Sequence, residues 1–71
     1  MTTPWERTNS LLRTRELLKW LTSPAAERVP PEIRRRAAEL LRHYPLPMEM
    51  DLAGQLNPSM FASDEERAKY S

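Results

Sequence analysis

Apolar side chains recur at helical spacing through residues 4–22, but they cover an unusually wide arc. On a helical wheel they spread over about 240°, at about 100° per residue. A single short partner helix covers a stripe only somewhat wider than about 100°. The pattern therefore predicts a helix 1 over about 4–22 and a second protein surface that covers the rest of the arc. The residues of the arc are Trp5, Thr8, Leu11, Leu12, Leu17, Leu18 and Leu21.

The ends of helix 1 are marked by local signals. Thr3 is a good N-cap, Pro4 suits the first helical position, and Glu6 completes a capping box with Thr3. Ser23 precedes Pro24, and the residue before a proline is disfavoured in the α region, so the helix should end there. A short turn over 24–27 is expected to follow.

A second helix is predicted from Pro31 to His43 or Tyr44, because Pro45 and Pro47 stop it. Its apolar face spans about 120°, which one neighbouring helix can cover. The two helices should form an antiparallel hairpin with a short connector. The predicted core is Leu11, Leu18, Leu21, Ile33, Leu40, Leu41 and Tyr44.

The last third of the chain, 46–71, is an acidic, Met-rich tail. Leu46, Met48, Met50 and Leu52 alternate with polar residues or proline, which is typical of an extended segment, whereas Met48, Leu52 and Leu56 have helical spacing. We favour a short helix that ends at Gly54. A second capping box, Ser63 to Glu66, predicts a helix over 64–69. The sequence leaves open whether the tail folds on its own subunit or on a partner.

Chain length favours a single domain that gains stability by association. A chain of 71 residues buries only about 60% of its unfolded surface and is marginal alone. The absence of Cys excludes disulfides, and one His cannot build a zinc site, so we expect no cofactor or metal. We therefore expect one small all-α domain, 1–71, made of a hairpin (1–45) and the tail, and assembled as a homodimer through helix 1.

The net charge of +1 conceals an asymmetry. Residues 1–45 hold nine Lys/Arg and five Asp/Glu, a net charge of +4, whereas residues 46–71 hold two and five, a net charge of −3. The two parts should attract one another, within a subunit or between subunits. No apolar run reaches the length of a membrane span, and the start of the chain lacks the pattern of a signal peptide, so a cytoplasmic location is expected.

Arginine content raises the alternative of a dimeric DNA-binding transcriptional regulator. The run Arg34-Arg35-Arg36 does not form one surface on a helix, and Glu32 and Glu39 stand at pairing distance from Arg36 and Arg35. A solvated, ion-paired face is therefore the simpler interpretation, and nucleic acid is not the favoured partner. The residues that would contact phosphates are Arg7, Arg13, Arg34, Arg35 and Arg42. His43 is expected to complement the C-terminal end of helix 2.

Aromatic and methionine side chains supply candidates for a protein interface. Tryptophan is enriched at binding hot spots, and methionine adapts to varied surfaces. Trp20 lies away from the centre of the apolar arc of helix 1, so it either packs under the tail or anchors an interface. The candidate partner-binding residues are Trp5, Leu12, Leu17, Trp20, Met48, Met50 and Phe61.

Three segments, TPWERT (3–8), LLRTRELLKWL (11–21) and LLRHYP (40–45), resemble a family of short, uncharacterised proteobacterial proteins. The resemblance covers about the first 45 residues, and the tail departs from it. It implies no activity. Because such proteins often travel on phages and mobile elements, it implies that inhibition of a host factor or a defence system is worth testing.

No catalytic signature or nucleotide-binding loop is present, so we expect a protein without enzymatic activity. The favoured hypothesis is a small interaction module that binds a partner protein and modulates or inhibits it.

Overall fold

The computed structural model describes residues 2–69 and is entirely helical there, which confirms the predicted class. Four α-helices and one short 3-10 helix follow one another, and the described residues contain no β-strand. In chain order they are α1 (Pro4–Leu21), the 3-10 helix (Pro24–Ala26), α2 (Pro31–Arg42), α3 (Pro47–Leu56) and α4 (Asp64–Lys69).

The start of α1 is the predicted capping box. The N–H of Glu6 donates to Thr3 Oγ1 at 3.1 Å, and the N–H of Thr3 donates to Glu6 Oε1 at 3.0 Å. These two bonds satisfy donors that a helix N-terminus otherwise leaves without a partner. At the other end, Ser23 takes up extended backbone before Pro24, and α1 stops two residues earlier, as the proline predicts.

Contacts divide the chain into two compact units, and the division falls within α1. One, which we call the tail unit, contains the described residues of 1–12 and 45–71. The other, which we call the hairpin unit, is Arg13–Tyr44. The tail therefore packs on the first turns of α1 in its own chain, a question that the sequence left open.

In the hairpin unit, α1 and α2 pack together. Leu18, Ala26 and Ala37 are buried. The Arg34 guanidinium donates to the carbonyls of Leu21 and Ser23, at 3.4 Å each, and so joins the first turn of α2 to the end of α1. This is the contact that a helical hairpin with a short connector should make.

Two of the predicted core residues are exposed instead. Ile33 is 48% exposed and Leu40 is 62% exposed, so their placement in the core was wrong. The buried position of α2 is Ala37, whose small side chain occupies the part of the face turned inward. Of the other predicted core residues, Leu18 is buried. The half-buried ones are Leu11, Leu21, Leu41 and Tyr44.

In the tail unit, one threonine and one glycine determine the packing. Thr8 is only 1% exposed, and its Oγ1 accepts the N–H of Ala62 at 2.8 Å. Gly54 lies against the backbone of Ala62 and Ser63, where a Cβ would overlap both residues. Gly54 has no positive φ, and α3 continues past it to Leu56, so the prediction that the helix ends at Gly54 was wrong. The glycine allows a close approach of backbones.

Carboxylates and a hydroxyl cap the two helices of the tail. Glu49 Oε1 accepts the N–H of Leu46 at 2.9 Å at the start of α3. Asp51, from α3, accepts the N–H of Asp64 at 2.7 Å at the start of α4. Ser63 Oγ accepts the N–H of Glu66 at 3.2 Å, as the second capping box predicts. These bonds satisfy N-terminal donors of both helices.

Candidate protein-interaction surfaces

Large apolar side chains remain exposed in both units, and those that lie on the helices fall at helical spacing. In a chain whose core consists of small residues with Leu18 and Met50, this exposed apolar set is the main chemical feature of the surface. The set contains Leu17, Trp20, Ile33, Leu40, Leu46, Met48, Leu52, Leu56 and Met60.

The first surface, which we call the helix 1 stripe, consists of Arg13, Leu17 and Trp20. Their spacings of four and three residues place them on one face of α1. Leu17 is 55% exposed and Trp20 is 48% exposed, so the indole of Trp20 is an accessible anchor. Arg13 is also exposed and forms no ion pair with any residue of 2–69.

The second surface, which we call the helix 2 edge, consists of Ile33 and Leu40. They are seven residues apart and share one side of α2. Arg36 lies beside them on the helical wheel and pairs with Glu32 at 3.3 Å, as the sequence predicts. The wheel identifies these positions as apolar, but it cannot show which part of a broad apolar face the neighbouring helix covers.

The third surface, which we call the tail stripe, consists of Met48, Leu52 and Leu56. With spacings of four residues they form one row along α3, and they are 73%, 53% and 76% exposed. Glu49 and Asp51 flank the row. The opposite side of α3 carries Met50 and Gly54, which are buried.

The candidate partner-binding residues thus have different positions in the structure. Leu17, Trp20 and Met48 are exposed. Trp5, Leu12 and Phe61 are half-buried. Met50 is only 5% exposed and belongs to the core of the tail unit, so it does not form part of an accessible surface.

Trp5 lines an apolar groove of about 550 Å³ in the tail unit. The groove is bounded by Thr3, Pro4, Trp5, Pro58, Ala62 and Glu66. Trp5 Nε1 is buried without a hydrogen-bond partner in the described part of the chain. Thr3 and Glu66 are the polar side chains of the lining, and the other lining residues are apolar.

Two of the five arginines that a DNA interface would use are engaged within the chain. Arg7 donates from Nε to the carbonyl of Met60 at 2.9 Å and from Nη2 to that of Ser59 at 3.1 Å. Arg34 holds the end of α1, as described above. The guanidinium of Arg7 thus fixes the turn before α4, a structural role that its charge alone did not indicate.

The remaining three arginines of that set, Arg13, Arg35 and Arg42, are exposed and make no ion pair with the described residues. The expected pair between Arg35 and Glu39 does not form within 4.0 Å. The hairpin unit, 13–44, holds eight Lys/Arg and four Asp/Glu, so its net charge is +4. Its surface is therefore basic as well as apolar.

The capping box at the start of α1 changes the pKa of Glu6. The N–H of Thr3, followed by the hydroxyl of Thr3, stabilises the carboxylate and lowers the pKa of Glu6 below its ordinary value. Glu6 is exposed, so its contribution is a helix cap and not a buried charge.

Residues 2–69 contain no group of three or more His, Asp or Glu side chains placed to hold a metal ion. His43 is the C-cap of α2, where its backbone N–H, donating to the carbonyl of Leu40 at 3.4 Å, makes the capping bond. Within the described chain, no helix has the length and apolar character needed to cross a membrane.

Comparisons of this chain with protein-family models, with curated proteins and with solved structures gave no match. The function is therefore argued from the surfaces alone.

Proposed function

We propose that this protein is a small, non-enzymatic interaction module that binds a partner protein and modulates or inhibits its activity. The observation that carries the proposal is the exposure of the helix 1 stripe, the helix 2 edge and the tail stripe in a chain of 71 residues. Scattered exposed apolar residues are ordinary on a protein surface, but rows of them at helical spacing are typical of binding faces.

The chemistry of the three surfaces favours a protein over a small molecule. Each is a convex row of Leu, Ile, Met or Trp on a helix, flanked by charged residues, whereas small-molecule sites are concave. Binding of a complementary groove or helix to such a row would bury apolar area that is now in contact with water.

Affinity capture from a proteobacterial lysate tests the proposal when it is combined with variants that remove one surface each. The variants are Leu17→Gln with Trp20→Ala, Ile33→Gln with Leu40→Gln, and Met48→Gln with Leu52→Gln. Glu39→Ala is the matched control, because Glu39 is an exposed polar residue of α2. We expect a protein that the wild type and the control capture and that at least one surface variant loses.

Either of two results would contradict the proposal. One is that the wild type captures nothing above background. The other is that every captured protein binds all three surface variants as well as it binds the wild type, which would show that the exposed apolar rows are not binding surfaces.

A further inference from the structure

We infer that the occupant of the tail stripe is the helix 1 stripe of a second copy of this chain. In a two-fold dimer this contact forms twice, with each tail lying on α1 of the other copy. The inference rests on the proposed function, since it treats both rows as protein-binding surfaces, and it leaves the helix 2 edge for a different protein.

The exposure of both rows in one copy is the first argument. Leu17 and Trp20 on α1 and Met48, Leu52 and Leu56 on α3 are all about half exposed or more within the single chain. A single copy therefore leaves both rows uncovered. Each row is narrow and lies along one helix, which is the shape that another helical row can cover.

Charge complementarity identifies the second copy as the occupant. The segment 46–69 holds five Asp/Glu and two Lys/Arg, whereas the hairpin unit has four and eight. Beside the tail stripe lie the carboxylates of Glu49 and Asp51, each of which also accepts a backbone N–H within its own chain. At the edge of the helix 1 stripe, Arg13 is exposed and forms no ion pair with the described residues. Opposite charges beside two apolar rows favour their association and fix its register.

The helix 1 stripe fits this tail better than the helix 2 edge does. Beside the helix 2 edge, Arg36 pairs with Glu32 at 3.3 Å. Beside the helix 1 stripe, Lys19 pairs with Glu16 at 3.8 Å, but Arg13 has no ion pair among the described residues and adds a positive charge to the stripe. The helix 1 stripe adds an indole, and thioethers such as that of Met48 make favourable contacts with aromatic rings. Trp and Arg, both present in the helix 1 stripe, are residue types enriched at binding hot spots.

The first part of the test is the solution mass of the full chain, measured by sedimentation velocity over a dilution series. We expect the mass to rise from that of one chain, 8.3 kDa, to that of two, and the dimer to weaken as salt is added. Leu17→Gln and Leu52→Gln should each raise the dissociation constant about a hundredfold, which is about tenfold at each of the two contacts. Leu40→Gln, on the helix 2 edge, is the control and should leave the dimer unchanged.

Mixing the two interface variants tests which surfaces meet. In a mixture of Leu17→Gln and Leu52→Gln chains, the intact tail of the first variant can bind the intact α1 of the second, so the mixed dimer keeps one wild-type contact. The other contact of the mixed dimer carries both substitutions, and because Leu17 and Leu52 would meet there, the second substitution weakens that contact less than the first. We expect the mixed dimer to be tighter than a dimer of either variant alone. Helical content by circular dichroism, equal to that of the wild type, shows that both variants are folded.

Three results would overturn the inference. The wild type could remain at 8.3 kDa at a concentration of about 1 mM, the weakest affinity worth measuring for such a contact. The dimer could persist unchanged in Leu52→Gln, which would leave a dimer of helix 1 against helix 1. The mixture could show no gain over the separate variants. A monomer that still captures a partner through one of its rows contradicts this inference and keeps the proposed function. A dimer that captures no other protein supports this inference and contradicts the proposed function.

Discussion

Thr8→Val removes one hydroxyl from the centre of the tail unit and leaves the shape of the side chain almost unchanged. Thr8 is 1% exposed, and its Oγ1 is the acceptor of the Ala62 N–H at 2.8 Å. In the variant, that buried N–H has no acceptor. Leaving a buried donor unsatisfied costs about 1–3 kcal/mol. We therefore expect the free energy of unfolding to fall by about 1–3 kcal/mol, a large part of the stability of so small a chain.

The assay is urea unfolding followed by circular dichroism at 222 nm, together with hydrogen exchange of the Ala62 amide. Thr22→Val is the matched control, since the Thr22 hydroxyl donates to the carbonyl of Lys19 at 2.8 Å in an exposed position. Its loss should cost less than about 0.5 kcal/mol. Faster exchange of Ala62 in Thr8→Val would locate the effect.

The reasoning would be refuted if Thr8→Val unfolds within about 0.5 kcal/mol of the wild type and the Ala62 amide stays protected. That result would mean that the contact between Thr8 and Ala62 does not hold the segment before α4 against α1. The Thr22→Val control should change the free energy of unfolding little, because water can replace a solvent-exposed hydrogen bond of a hydroxyl at little cost.

Three further predictions concern other contacts of the chain. Gly54→Ala should destabilise the tail unit by about 1–3 kcal/mol in urea unfolding, because the new methyl group overlaps the backbone of Ala62 and Ser63. Alanine in place of glycine normally stabilises a helix interior by about 1 kcal/mol, so a more stable variant would contradict the prediction. Glu6 has a lowered pKa in the folded chain, so its stabilising effect is complete above its ordinary pKa of 4.5 and is lost as the pH falls through the lower folded pKa. Glu6→Gln should therefore reduce the pH dependence of the unfolding midpoint in that acidic range. An unchanged pH profile would show that the cap is not formed. Duplex DNA should show no retardation by the protein at about 50 mM salt, because Arg7 and Arg34 are engaged within the chain; retardation that is lost in an Arg35→Ala, Arg42→Ala variant would favour the DNA-binding alternative.

Local signals in the sequence predict the helices well. The capping box of Thr3 and Glu6 acts within a few residues, and so do the prolines that begin the 3-10 helix, α2 and α3. Their effect can therefore be derived from the sequence without knowing the tertiary structure. The helix over 64–69 follows from Ser63 in the same way. The end of α3 is different, because Gly54 serves a contact with residues eight and nine positions further along the chain.

The exposed surfaces are harder to predict, because a helical wheel does not show which part of an apolar face a neighbouring segment covers. The apolar face of α2 is correctly identified, but within it only Ala37 is buried, whereas Ile33 and Leu40 are exposed. A small residue in the middle of an apolar face is the signal that could have located the close contact. Met50 is the opposite case, since its alternation with Met48 and Leu52 gave no indication that it faces inward.

The contacts of Arg7 and Thr8 could not be predicted from the spacing of apolar residues along the helix. Thr8 falls in the apolar arc of helix 1, where its hydroxyl has no predictable role. Its acceptor function appears only when Ala62, 54 residues later, is brought beside it. The same holds for Arg7, which donates to carbonyls 52 and 53 residues away. Contacts over such separations depend on the fold of the tail and cannot be read from spacing.

The most direct test of the central structural claim, that the tail stripe of one copy covers the helix 1 stripe of another, is photo-crosslinking from position 52. A photoreactive leucine analogue replaces Leu52, and light and heavy isotope-labelled chains are mixed so that mass spectrometry separates products within a chain from products between chains. The account predicts products between chains that join position 52 to the peptide containing Leu17 and Trp20. Yields no higher than those from the same probe at position 39, on the polar side of α2, would contradict it.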